Sequence, residues 1–125
     1  MQTVTTTQAP EALGHYAQAI THNGLIYVSG QLPIDPQHGD RSAGTIEEQT
    51  VQTLKNIEAI LTAGNSDKSL ILKMTVYIAD LSLWGRMNEA FAQFMGEHKP
   101  ARAAVPVSQL PKGYLVEIDA IAALK

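Results

Sequence analysis

One arginine, Arg102, lies in an otherwise small and apolar strand-like segment, residues 100–107. A guanidinium is always charged and presents its N–H donors in a planar fork, so placing it among apolar residues is unfavourable unless it meets an anion. Glu117 follows fifteen residues later within a second apolar run, residues 115–122. Two interpretations stay open. The two side chains form a structural salt bridge with each other, or they belong to a small-molecule site that binds a carboxylate.

Four more residues are candidates for ligand contact, and each also has a structural interpretation. Tyr16 at the start of a predicted strand is typical of a packed amphipathic side chain. Ser29 ends a strand outside any nucleophile-elbow pattern, where serine usually bonds the backbone. Gly30 either makes a turn or lets a ligand approach the main chain. Asn88 falls on the apolar side of a predicted helix, where its amide must be satisfied, which favours a structural role over ligand contact.

Composition excludes several function classes. The 125 residues fit a single domain, residues 1–125, with a sizeable core. The net charge is −3 and the nine basic residues are scattered, so strong binding to nucleic acid is not indicated. The absence of cysteine excludes disulfides and thiolate sites and fits a cytoplasmic protein, which we expect. The four histidines lack metal-ligand spacing, so we expect no metal.

The sequence also predicts neither secretion nor membrane insertion. Residues 1–7 contain no basic residue and no long apolar core, unlike a secretory signal. No apolar run approaches the ~18–20 residues that a membrane helix needs.

Strands and helices alternate in the predicted order β-β-α-β-α-β-β. Asn23-Gly24 between two apolar runs predicts a hairpin, followed by a loop over residues 30–44. Apolar and β-branched segments predict the strands, at residues 16–21, 25–29, 70–78, 101–107 and 115–122. This alternation is typical of an α+β domain with a mixed sheet and its helices on one face.

Two helices are predicted from capping signals and apolar spacing. The first begins after Thr45, which forms a capping-box pattern with Glu48, and Gly64 is a natural C′ residue. Asp80 or Ser82 caps the second helix. The apolar face predicted for the second helix comprises Trp84, Met87, Phe91, Phe94 and Met95.

The last predicted strand is apolar on both of its faces. Leu115 and Ile121 occupy one face, while Val116 and Ile118 occupy the other. Two-sided apolarity indicates burial on both sides, and two helices cover only one side of a sheet. We therefore expect another subunit to cover the second face.

Several motifs, in this order along nearly the whole chain, resemble the RidA (YjgF) family: residues 14–18, 28–36, 100–105, 110–113 and 116–122. The resemblance implies a chorismate-mutase-like α+β fold and a homotrimer whose sheets line a central barrel. Ligand sites then lie between subunits. It also implies an enamine/imine deaminase of the 2-iminobutanoate/2-iminopropanoate type, without metal or organic cofactor. Such an enzyme hydrolyses 2-aminoacrylate or 2-iminobutanoate to a 2-keto acid and ammonia.

The resemblance assigns roles residue by residue. Arg102 matches the arginine that binds the substrate carboxylate, and its fork geometry suits that role. Glu117 matches the acid that holds the attacking water and manages protons. Other positions match residues that line the cleft or lie close to it: Tyr16, Ser29, Gly30 and Asn88.

Three departures from the family pattern affect substrate preference more than the basic chemistry. His15 replaces a proline and adds a titratable group at the cleft mouth. Ala104 replaces a common cysteine, which excludes thiol chemistry but keeps a backbone N–H for the ligand. Asp119 replaces a second glutamate.

Two other function classes remain open. One is a regulatory module that binds a 2-keto acid in the same cleft without turnover. The other is an endoribonuclease or translation inhibitor, an activity attributed to some relatives, which the lack of a basic patch disfavours.

Overall fold

A computed structural model describes residues 1–39 and 44–125. It contains a six-stranded mixed sheet with the strand order β1-β2-β3-β6-β4-β5. The strands are β1 (Gln2–Val4), β2 (Ala19–His22), β3 (Leu25–Gln31), β4 (Ile71–Ile78), β5 (Ala101–Pro106) and β6 (Val116–Ala123). The helices are α1 (Ile46–Ala63) and α2 (Trp84–Met95). The predicted α+β class, with a mixed sheet and two helices, is confirmed.

The strand pairing decides which residues share a face of the sheet. β6 pairs antiparallel with both β3 and β4, while β5 runs parallel to β4 and forms an edge of the sheet. In this register Arg102 lies opposite Met74, and Glu117 lies opposite Tyr77. Because successive side chains of a strand point to opposite faces, these pairs fix the side of the sheet that each residue occupies.

One face of the sheet is buried under the helices and the other is open. Residues at alternate positions of β6 are buried on the helix side, among them Val116 and Ile118, both 0% exposed. Glu117, Asp119 and Ile121 alternate with them and are only half-buried. Within the protomer, β6 is therefore fully buried on one side only, and the burial predicted for its other side is not reached. A covering subunit remains a prediction.

The N-terminal part differs from the prediction in two ways. A short strand, β1, pairs with β2 and was not predicted, because three residues are too few to show a period. The next strand begins at Ala19 rather than at residue 16. The preceding segment is held by Gln18, whose amide oxygen accepts from Thr6 N–H (2.7 Å) and whose amide nitrogen donates to Pro10 O (2.8 Å).

The predicted capping box of α1 is present. Thr45 Oγ1 accepts a hydrogen bond from Glu48 N–H at 3.1 Å, and Glu48 Oε1 accepts from Thr45 N–H at 3.3 Å. These bonds satisfy two backbone donors that the first turn leaves free. The helix therefore begins where the sequence predicts. In the loop predicted over residues 30–44, β3 extends through Gln31, and residues 40–43 lie outside the described part.

The C-terminus of α1 corrects the role of Gly64. Gly64 has a φ of −94°, and the left-handed position is taken by Asn65 at 66°. Ser66 N–H donates to Leu61 O at 2.8 Å, which completes a Schellman motif. Gly64 is needed for another reason, since a Cβ there would overlap Ile26 Cδ1.

The second helix follows a short 3-10 turn, Leu81–Leu83, in which Asp80 accepts from Ser82 N–H at 2.9 Å. Its predicted apolar face is buried at Met87 and Phe91, but Trp84 is 39% exposed, contrary to the prediction. None of the described helices is long and apolar enough to cross a membrane.

Candidate functional site

Glu117 lies on the open face of the sheet, beside an irregular part of β3. The register of β3 against β6 shifts between Val28 and Gln31. A Cβ on Gly30 would lie 3.2 Å from Glu117 Cδ and 3.4 Å from both carboxylate oxygens. Gly30 does not have a positive φ, so its backbone does not require glycine. The missing side chain instead makes room for the Glu117 carboxyl group.

Burial raises the pKa of Glu117, and the negative charge of Asp119 raises it further. Asp119 is held in place, because Thr75 N–H donates to its Oδ1 at 3.2 Å and the Tyr77 hydroxyl donates to its Oδ2 at 3.3 Å. The same Asp119 charge is the main cause that raises the pKa of Tyr77. A carboxylate with a raised pKa is a stronger base, which suits a group that accepts a proton.

Ser29 connects the Tyr16 segment to this region. The Ser29 hydroxyl donates to Ala17 O at 2.6 Å, and Ser29 N–H donates to Gln18 O at 2.9 Å. These contacts agree with the structural interpretation of Ser29. Tyr16 is 53% exposed, so it is not a packed core residue in the protomer. Ser29, Gly30 and Glu117 thus lie together, and the bonds of Ser29 hold the main chain that follows Tyr16 beside them.

Arg102 belongs to a second group, at the β5 edge and on the helix side of the sheet. Its guanidinium carbon lies over the ring of Phe91, 4.8 Å from the centroid, and 5.8 Å from the centroid of the Trp84 ring. Asn88 lies between these two aromatic residues on the same stripe of α2 and is half-buried. Ala104, two residues after Arg102, is half-buried on the same side of β5.

Arg102 and Glu117 do not meet within one protomer. Arg102 lies opposite Met74, which is buried under the helices, whereas Glu117 lies opposite Tyr77 on the open face. Across the described ranges, no carboxylate lies within ion-pair distance of Arg102. The interpretation as a structural salt bridge inside the protomer is therefore wrong. The structure separates the candidate residues into a Glu117 group and an Arg102 group.

The sequence alone does not reveal the neighbours of either group. Asp119 stands out there only as a departure from the family pattern, and Tyr77 reaches it from a strand 42 residues away. The spacing of Trp84 and Phe91 predicts a core face. The only sequence signal for their contact with Arg102 is that this helical spacing precedes a strand that contains a single arginine. Among the residues that the structure describes, no group of three or more His, Asp or Glu side chains is arranged to hold a metal ion.

Comparison with known proteins gives consistent results. The chain matches the family model for endoribonuclease L-PSP over residues 6–124. It is 46% identical over 121 residues to a RutC family protein of Pyrococcus horikoshii, covering 97% of this chain and 96% of that protein. It is 42% identical over 119 residues to the 2-iminobutanoate/2-iminopropanoate deaminase of Rattus norvegicus, covering 95% of this chain and 87% of that protein. The crystal structure of E. coli TdcF with bound serine matches with a TM-score of 0.95 and 36% identity, covering 100% of both chains.

Proposed function

The chain belongs to the endoribonuclease L-PSP family, also called the RidA (YjgF) family, and on that basis we propose that it is an enamine/imine deaminase. Its substrates are reactive 2-imino acids of the 2-aminoacrylate and 2-iminobutanoate type, and its products are 2-keto acids and ammonia. The 42% identity to a protein named as such a deaminase supports the reaction class.

The observation that carries the proposal is Arg102. Its guanidinium rests against two aromatic rings and has no carboxylate partner in the described ranges. Such a fork matches the two oxygens of a substrate carboxylate. The serine bound to TdcF carries a carboxylate of this kind, which supports the same ligand chemistry here.

Glu117 supplies the acid–base function in this proposal. An enamine first takes a proton at its terminal carbon and becomes the protonated imine. Glu117 then accepts a proton from a water molecule, whose oxygen attacks the imine carbon. That proton passes from Glu117 to the nitrogen of the tetrahedral intermediate and the C–N bond breaks. Ammonia leaves, and the hydroxyl group gives its proton to Glu117 as the C=O bond of the keto acid forms. General acid–base catalysis of this kind contributes ~10²–10⁴-fold, which is enough for a substrate already unstable in water.

The proposed site requires two copies of the chain. Since Arg102 and Glu117 lie on opposite faces of one sheet, a single ligand reaches both only if they come from different protomers. We therefore propose a homotrimer with a site at each interface, formed by the β5 edge of one copy and the open face of the next. Cyclic packing of this type brings two different surfaces together at each interface. The open face of the sheet, where Tyr27 is 43% exposed, supports this assembly because it leaves apolar surface for another copy to cover.

The test is ammonia release from an imine made in the assay by a pyridoxal-phosphate dehydratase acting on serine or threonine. We expect the protein to accelerate release above the spontaneous rate. Binding of 2-oxobutanoate in calorimetry without acceleration would instead indicate the regulatory module. Cleavage of RNA with no effect on the imine would indicate the ribonuclease.

A further inference from the structure

Two aromatic residues of α2 flank the side chain of Arg102. The guanidinium carbon is 4.8 Å from the Phe91 ring centroid and 5.8 Å from the Trp84 ring centroid. Phe91 is 5% exposed and belongs to the core, whereas Trp84 is 39% exposed and stands at the first position of the helix. The Arg102 side chain thus extends from an edge strand and lies against the start of α2, at Trp84.

Unlike an ion pair, this contact leaves the N–H donors of the guanidinium available. A ring face attracts a guanidinium through its electron-rich surface and uses none of the N–H donors. A carboxylate in the same place would occupy those donors and compete with a ligand. The rings therefore restrain a long, flexible side chain while the donor fork stays available for an anion.

We propose that Trp84, whose ring flanks the Arg102 guanidinium together with the ring of Phe91, is a positioning residue that holds Arg102 ready for the carboxylate of the substrate. Trp84 then affects the affinity for the acid rather than the rate of the chemical step. This inference rests on the proposed function only in taking Arg102 as the group that binds the carboxylate.

The chain offers a direct optical reporter of this contact, because Trp84 is its single tryptophan. A carboxylate bound to Arg102 changes the charge next to the indole. We expect a saturable change in tryptophan emission when 2-oxobutanoate is added to the wild-type protein, and no change with Arg102→Lys. Free tryptophan, titrated in parallel, corrects for absorbance by the keto acid.

The decisive comparison uses Trp84→Leu, Trp84→Phe and Leu81→Ala. We expect Trp84→Leu to raise the Kd for 2-oxobutanoate, measured by calorimetry, and the KM for the imine by roughly 2- to 30-fold. The kcat should stay within about 2-fold, as for a loss of uniform binding. Trp84→Phe keeps a ring and should recover most of the affinity. Leu81 is 59% exposed in the turn before α2, so Leu81→Ala controls for disturbance of the helix start.

The outcomes separate this inference from the proposed function. Unchanged Kd and KM in Trp84→Leu would overturn the positioning role and leave the deaminase proposal intact. A raised Kd in a protein that does not accelerate imine hydrolysis would support the positioning role and refute the deaminase. A wild-type protein that binds no keto acid would overturn both, because Arg102 would then not bind a carboxylate. A fall in kcat with unchanged KM would also overturn the inference.

Discussion

Replacing Gly30 with alanine places a methyl group against the Glu117 carboxyl group. The new Cβ would lie 3.2 Å from Glu117 Cδ, where ordinary contacts are 3.4–4 Å, so the carboxyl group must move by a few tenths of an ångström. The backbone of Gly30 does not have a positive φ, so alanine introduces no backbone strain there. The variant therefore tests the position of Glu117 with little other change.

The expected effect is larger on catalysis than on stability. A misplacement of about 1 Å costs roughly 10²-fold in rate, so a few tenths correspond to a fall of roughly 3- to 10-fold in kcat/KM for the imine. Overpacking costs about 1–3 kcal/mol in a closed core. Glu117 is only half-buried within the protomer, so the loss in free energy of unfolding should lie at or below the lower end.

The assay is ammonia release together with a thermal melt, with Gly85→Ala as the matched control. Gly85 lies in α2 without a positive φ, and nothing lies within 4 Å of where its Cβ would be. Its alanine variant should keep full activity and gain up to about 0.5–1 kcal/mol in stability. An unchanged kcat/KM in Gly30→Ala would refute the conclusion that the missing side chain of Gly30 makes room for the Glu117 carboxyl group.

Three further predictions concern Glu117, its neighbour and the first helix. Burial raises the folded-state pKa of Glu117, so the stability linked to it is present at low pH and lost as pH rises through that pKa. Glu117→Gln should therefore melt at a higher temperature than wild type near ~pH 7.5 but not near ~pH 4. Its turnover should be lower. A lower melting temperature at ~pH 7.5 would instead indicate an ion pair between copies. Asp119→Asn removes a charge that raises the pKa of Glu117, so the acidic limb of kcat/KM should move to lower pH, and an unmoved limb contradicts this. Thr45→Ala removes the capping box and should lower the free energy of unfolding, measured by chemical denaturation, by about 0.5–2 kcal/mol. Thr45→Ser keeps the hydroxyl group and should stay close to wild type.

Local signals in the sequence were enough to predict most elements of the fold. The capping box at Thr45 and Glu48 depends only on residues within one helical turn, and the structure contains it. The Asn23-Gly24 turn joins β2 and β3 as predicted, with both residues at positive φ. By contrast, β1 has three residues and is defined by its partner strand, so no periodicity in the sequence reveals it.

The geometry of the candidate site depends on contacts between distant strands. Arg102 and Glu117 are near in sequence, but the strand order β6-β4-β5 and its register put them on opposite faces. No spacing rule within residues 100–122 contains that information. Trp84 likewise fits the apolar spacing of a helix, and only the position of α2 beside the edge strand explains its exposure and its contact with Arg102.

The central claim is that Arg102 of one copy and Glu117 of another complete each site. Its most direct test mixes two variants, Arg102→Lys and Glu117→Gln, which should each be nearly inactive alone while keeping the wild-type trimer in sedimentation. Lysine keeps the charge of Arg102 but loses the fork, and glutamine keeps the shape of Glu117 but cannot carry the proton. After unfolding and refolding of an equal mixture, each mixed trimer contains one interface with both native residues. Random assembly should restore about a quarter of the wild-type rate of ammonia release. A mixture that stays at the combined rate of the two separate variants, while mixed trimers are shown to form, would contradict the claim.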